Sequence, residues 1–143
     1  MKFQWNDGGR SVAFKGKSGD CVTRAVSIAS GLPYSEVYAA LSIQCRSERA
    51  STKRSARNGV HTKRKWFKAW MHALGWRWTP TMQIGSGCKV HLRDGELPQG
   101  RLIVSLSKHY CAVIDGVIHD TSDPQRGGTR CVYGYWQFGN PTP

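Results

Sequence analysis

At 143 residues the chain has room for one domain with a real core but hardly for two, and an apolar share of 39% with six tryptophans excludes a disordered tail. No apolar run approaches the roughly 18 residues of a membrane span, and the opening MKFQWNDGGR lacks the apolar centre of a secretory leader, so a cytoplasmic protein without membrane contact is expected. The formal charge of +12 is unevenly spread: between Arg46 and Lys68, nine Lys and Arg (Arg46, Arg49, Lys53, Arg54, Arg57, Lys63, Arg64, Lys65, Lys68) stand against Glu48 alone. Such a run is either a solvated basic loop or a surface that faces a polyanion, and its cations are the candidate anion-binding residues.

In chain order, the first fifteen to seventeen residues read as an irregular lead-in with a turn at Asn6-Asp7-Gly8-Gly9. Ser18-Gly19-Asp20 then offers helix caps before CVTRAVSIAS, where Val22, Ala25, Val26 and Ala29 make an apolar stripe and Gly31 a stop. Cys21 falls in the first turn of that helix. YSEVYAALSIQC reads as a second helix forming a hairpin with the first, and the polar, aperiodic stretch from Arg46 to Val60 as a loop. Thr62 is placed to cap a third helix, TKRKWFKAWMHALG, with Trp66, Phe67, Trp70, Met71 and Leu74 on one face and Lys65, Lys68 and His72 opposite. The pattern then changes to strands at Trp76 to Thr79, Lys89 to Leu92, Arg101 to Ser107 and YCAVI-DG-VIHDT. Helices first and an antiparallel sheet afterwards give an α+β order in a single domain over 1–143, with the basic loop and helix at 46–74.

Five cysteines without a Cys-x-x-Cys pair fit neither a disulfide scaffold nor the common zinc spacings, so at least one thiol is expected free. The five histidines show no metal-ligand spacing either, and neither a metal nor a cofactor is expected. Cys45, Cys88, Cys111 and Cys131 read as core residues; Cys21 is either a small core residue or, at a helix N-terminus whose dipole favours a thiolate, a nucleophile. Asp20 opposes the thiolate unless its carboxylate is occupied as a cap.

The Asp115-Gly116 turn sets a hairpin register in which Ile114 meets Val117, Val113 Ile118, Ala112 His119, Cys111 Asp120 and His109 Ser122. Side-chain alternation then puts His109, Cys111, Val113, Ile118, Asp120 and Ser122 on one face, with His109 and Asp120 as diagonal neighbours and His119 on the other face beside Tyr110 and Ala112. Thiol, imidazole and carboxylate follow in the order Cys21, His109, Asp120, the parts of a nucleophile, its base and the group that orients the base.

A helix-borne cysteine followed by His and Asp on a later sheet resembles the papain-like cysteine peptidases. More narrowly, GDCVTRAVSIASGLPYSEVYAAL and VSLSKHYCAVIDGVIHDTSDP resemble small papain-like-fold proteins of bacteriophages and bacteria; the two segments cover roughly a third of the chain. The resemblance implies a papain-like fold, N-terminal helices packed on a C-terminal antiparallel sheet, and a thiol hydrolase with a protein or peptide substrate in a bacterial or phage-infected cytoplasm. Papain-like enzymes take one oxyanion donor from a Gln shortly before the cysteine; here Lys15 to Asp20 has none, and the nearest upstream amides are Asn6 and Gln4. Two further readings stand beside the cysteine peptidase or isopeptidase: a silent papain-like binding protein whose 46–68 segment grips nucleic acid or an acidic protein, and an acyltransferase of the transglutaminase kind.

Overall fold

The computed structural model describes residues 1–13, 20–46, 60, 62–83 and 85–139. Along the chain run β1 (Lys2–Trp5), a single turn α1 (Arg10–Ala13), α2 (Cys21–Ser30), α3 (Tyr34–Arg46), α4 (Lys65–Ala73), β2 (Trp76–Pro80), β3 (Arg101–Leu106), β4 (His109–Ile114), β5 (Val117–Asp120), a 3-10 turn at Arg126–Gly128 and β6 (Gly134–Phe138). The six strands form one sheet in the order β1-β5-β4-β3-β6-β2. The fold is therefore mixed α and β, as the helix-then-strand pattern predicts, but the sheet is mixed rather than antiparallel because β1 runs parallel to β5.

That first strand corrects the irregular lead-in. Lys2-Phe3-Gln4-Trp5 alternates polar and apolar, but four residues are too short a run to separate from a loop, and with all four exposed it is pairing to β5 that makes it a strand. β6, GYWQF, likewise emerges only through its partners, lying between β3 and β2. Conversely, Lys89 to Leu92 is not a strand: it makes one isolated bridge, His91 to Cys131, with backbone hydrogen bonds between Leu92 and Arg130 and between Val132 and Val90. This short pairing carries a second correction. Cys88 and Cys131, 43 positions apart, form a disulfide, leaving Cys21, Cys45 and Cys111 free. Spacing rules look for cysteines close in sequence, and here the chain crossing brings the pair together.

The hairpin turns decide the site. Asp115 and Gly116 both take positive φ, 48° and 79°, the conformation that an Asp-Gly two-residue turn supplies, and the predicted pairs Ile114–Val117, Val113–Ile118 and Ala112–His119 form. The ladder ends there; the expected pairs Cys111–Asp120 and His109–Ser122 are absent, because β5 stops at Asp120 and the chain bends away through Thr121 and Ser122. On its other side β4 is joined to β3 by a turn at Ser107 and Lys108, with Lys108 at φ 55°, so that His109 is the first residue of the strand, paired with Leu106.

Two clusters of buried residues make the core. One joins Val22, Ala25, Val26 and Ala29 of α2, Val37 and Leu41 of α3, and Phe67 and Met71 of α4 to Trp76, Ile103, Tyr110, Ala112 and Trp136 of the sheet. The other is aliphatic: Leu102, Val104, Leu106, Cys111, Val113 and Ile118 meet Leu92 and Val132. Successive residues of β4 alternate between them, the period of a strand. Trp66, Trp70 and Leu74 pack against the first cluster, so the apolar face predicted for the third helix is its core face. That helix begins at Lys65 with Arg64 at its cap; Thr62, the expected cap, bonds instead to the Tyr110 side chain.

Candidate functional site

α2 closes with Gly31 at φ 77°, whose N–H returns to the Ser27 carbonyl, the left-handed stop expected of glycine. It opens at Cys21, half-buried, with Asp20 just before it at only 2% exposure. Asp20 makes no side-chain cap bond, contrary to the capping role open to it. Its carboxylate is taken by three other groups. Arg24 Nη1 donates to Oδ1 at 2.6 Å, the Tyr34 hydroxyl donates to Oδ2 at 2.5 Å, and Arg10 forms an ion pair at 3.6 Å. Burial and the Asp20 charge push the Tyr34 phenol well above its ordinary range, so it stays a donor. The negative charge beside the thiol is thus matched by cations.

Arg24 also crosses to β5. Its Nη2 donates to Asp120 Oδ1 at 3.0 Å, an oxygen that accepts the Thr121 N–H as well, at 2.7 Å. The other oxygen, Oδ2, accepts His109 Nε2–H at 2.6 Å. With Nε2 committed to Asp120, Nδ1 is the nitrogen left to meet the Cys21 thiol, which hydrogen-bonds the imidazole and the Tyr110 backbone. His109 and Asp120 are therefore neighbours, as the hairpin register required, although the contact is made where the two strands part and not across the ladder, and Cys21 meets them from the start of α2.

Charges alternate along this line: Arg10, Asp20, Arg24, Asp120, His109, Cys21. Burial acts to raise the thiol, but the hydrogen bond and positive charge of His109 overcome it and bring Cys21 below its ordinary value. Burial acts to lower His109, yet the bond to Asp120, then that to Cys21, lift it to about 9. Burial would raise Asp120 too, and the His109 bond and the charges of His109 and Arg24 hold it below the usual carboxylate range. These directions favour an imidazolium between a carboxylate and a thiolate. Cys111, buried on the strand beside them, is driven the other way by burial and remains a thiol.

The remaining predicted residues are placed as follows. His119 lies away from the thiol, its Nδ1 3.4 Å from Asn6 Nδ2, and burial lowers its pKa. Asn6 accepts the Gly8 N–H, its own N–H donates to the Asp120 carbonyl, and Gln4 donates to the Trp5 carbonyl, so neither candidate oxyanion amide bonds toward Cys21. The Cys21 N–H, at the open end of α2, has no hydrogen-bond partner among the described residues and is a backbone donor on the same residue as the thiol. Arg46 ends α3, Lys63 and Arg64 precede α4 and Lys65 starts it, all exposed; Arg49, Lys53, Arg54 and Arg57 lie outside the described residues. Among the described residues no three His, Cys, Asp or Glu side chains converge as metal ligands.

Sequence reasoning missed Arg24, Tyr34 and the true work of Asp20. The available signal was the i, i+4 spacing of Asp20 and Arg24. It was hidden because a helix with one apolar stripe sends its arginine to water, whereas α2 is buried on nearly every side. No protein-family profile, curated protein or solved structure matches this chain.

Proposed function

We propose that this chain is a thiol hydrolase of papain-like architecture that cleaves an amide or thioester bond in a protein or peptide, as a cysteine peptidase or isopeptidase would. The observation that carries the reading is the unbroken contact of Cys21, His109 and Asp120, held from behind by Arg24. In the reaction the Cys21 sulfur attacks the carbonyl carbon, and the oxyanion that forms is met by the Cys21 N–H at the start of α2. His109 gives its proton to the leaving amine or thiol, the C–N or C–S bond breaks, and an acyl-thioester remains. Water, deprotonated by His109, then releases the acid and restores the thiol. Asp120 keeps Nε2 protonated so that Nδ1 faces sulfur in both steps.

A small thiol with a pKa of about 8.5 is almost wholly protonated at pH 6, whereas a thiolate paired with an imidazolium is not. Iodoacetamide at pH 6 is expected to alkylate Cys21 at least about tenfold faster than free cysteine, read by mass mapping. Asp120→Asn should slow this toward the rate of His109→Ala, while His119→Ala leaves it unchanged. A Cys21 no faster than the free amino acid would sink the hydrolase. The reading that would then stand is a binding protein using the 46–68 cations, which the exposure of Lys63, Lys65 and Lys68 favours.

A further inference from the structure

A cleft of about 730 Å³ opens beside α4 and falls within the roughly 300–1,000 Å³ of ligand sites. Its floor is aromatic, formed by Tyr110, Trp78, Trp136 and Tyr133, and its rim carries Lys63 and Lys68. Trp78 lies so close to Gly134 that a Cβ there would meet its ring at 2.3 Å, so glycine is what lets the indole take this place in the cleft lining. Among the described residues neither lysine has a salt-bridge partner and no acid lines the cleft. The cleft and the thiol are neighbours through one residue: Tyr110 lines the cleft while its backbone hydrogen-bonds Cys21.

We infer that this cleft holds an acidic peptide segment flanking the scissile bond, an inference that rests on Cys21 being the nucleophile. An apolar side chain settles among Trp78, Tyr133 and Trp136, and one or two carboxylates of the peptide meet Lys63 and Lys68. Apolar burial supplies the affinity, since two exposed cations contribute modestly, and the lysines supply the choice of partner. A nucleic acid fits less well, because its phosphates need a track of cations where the described rim offers two.

The test uses N-iodoacetyl-Leu-Asp-Asp-amide and N-iodoacetyl-Leu-Lys-Lys-amide, whose iodide is displaced by the Cys21 thiolate as the C–S bond forms. At low salt the acidic probe is expected to alkylate Cys21 about tenfold faster than the basic one, with saturation, and the gap should narrow as salt rises. Lys63→Glu with Lys68→Glu should abolish the preference, whereas Arg46→Glu with Arg126→Glu, the same change in net charge away from the cleft, should retain most of it. Equal rates for the two probes, or equal losses in both double variants, would overturn the assignment. So would a short oligothymidylate that blocks alkylation better than the acetylated acidic peptide. If plain iodoacetamide shows Cys21 to be unreactive, the hydrolase reading fails separately. The cleft is then judged by tryptophan-fluorescence titration with N-acetyl-Leu-Asp-Asp-amide, whose binding must still disappear in the Lys63 and Lys68 variant.

Discussion

The start of α2 and the start of α4 both gather charge, and they use it in opposite ways. Around α2, Asp20 and Asp120 are 2% and 1% exposed, Arg24 7%, and each sits against a charge of the other sign. Around α4, Lys63, Lys65 and Lys68 stand in solvent without salt-bridge partners among the described residues. In the interior the effective dielectric is low and water cannot substitute for a lost partner, so each member of the line is held in position by its neighbours. At the surface the same unit charge is screened within about 8–10 Å, so it biases which partner arrives without shaping the fold. The +12 of this chain is therefore a poor guide to where its electrostatics act most strongly.

The sharpest way to break that contrast is Arg24→Met, which removes the cation shared by two buried carboxylates. Loss of about 3–5 kcal/mol is expected, measured as a lower urea midpoint, because the remaining charges are left facing each other. Asp120 should also rise in pKa as its arginine goes, weakening its hold on His109.

A smaller effect comes from His109→Ala, read against pH. In the native protein His109 is lifted from an ordinary 6.5 to about 9, so its contribution is fully present below pH 6.5 and lost as pH rises through about 9. Wild type should exceed the variant by about 3 kcal/mol at most near pH 6, with the gap closing toward pH 9 to 10. The depressed Asp120 works in reverse, contributing above the carboxylate range and losing its share only in acid. A gap that stays constant from pH 6 to pH 10 would mean that the imidazole is not paired in the folded state.

At the surface, Lys63→Ser with Lys68→Ser should shift stability by no more than about 0.5 kcal/mol, the size usual for exposed positions. A loss of several kcal/mol in the same urea titration would show that these lysines are part of the fold's own charge network and would erase the contrast with α2.

Much of this could be read from local sequence. α2, α3 and α4 were legible from their apolar spacing, the Gly31 stop from its position after the stripe, and the Asp115-Gly116 turn from its dipeptide. Because a two-residue turn fixes register, it singled out His109 and Asp120 over His119. What escaped was non-local: β1 and β6, which need neighbours to be strands; the Cys88–Cys131 bond, which needs the crossing of 88–92 with 130–132; and the parting of β4 from β5.

By itself, then, the sequence determined the elements whose signal repeats within a few residues, together with the order thiol, imidazole, carboxylate. Only the tertiary structure decided that Asp20 would be a buried anchor instead of a cap and that Arg24 would join it to Asp120, 96 positions apart. The physical reason is that a charged side chain's role depends on whether water can reach it, and exposure is settled by what packs around a helix, not by the residues along it.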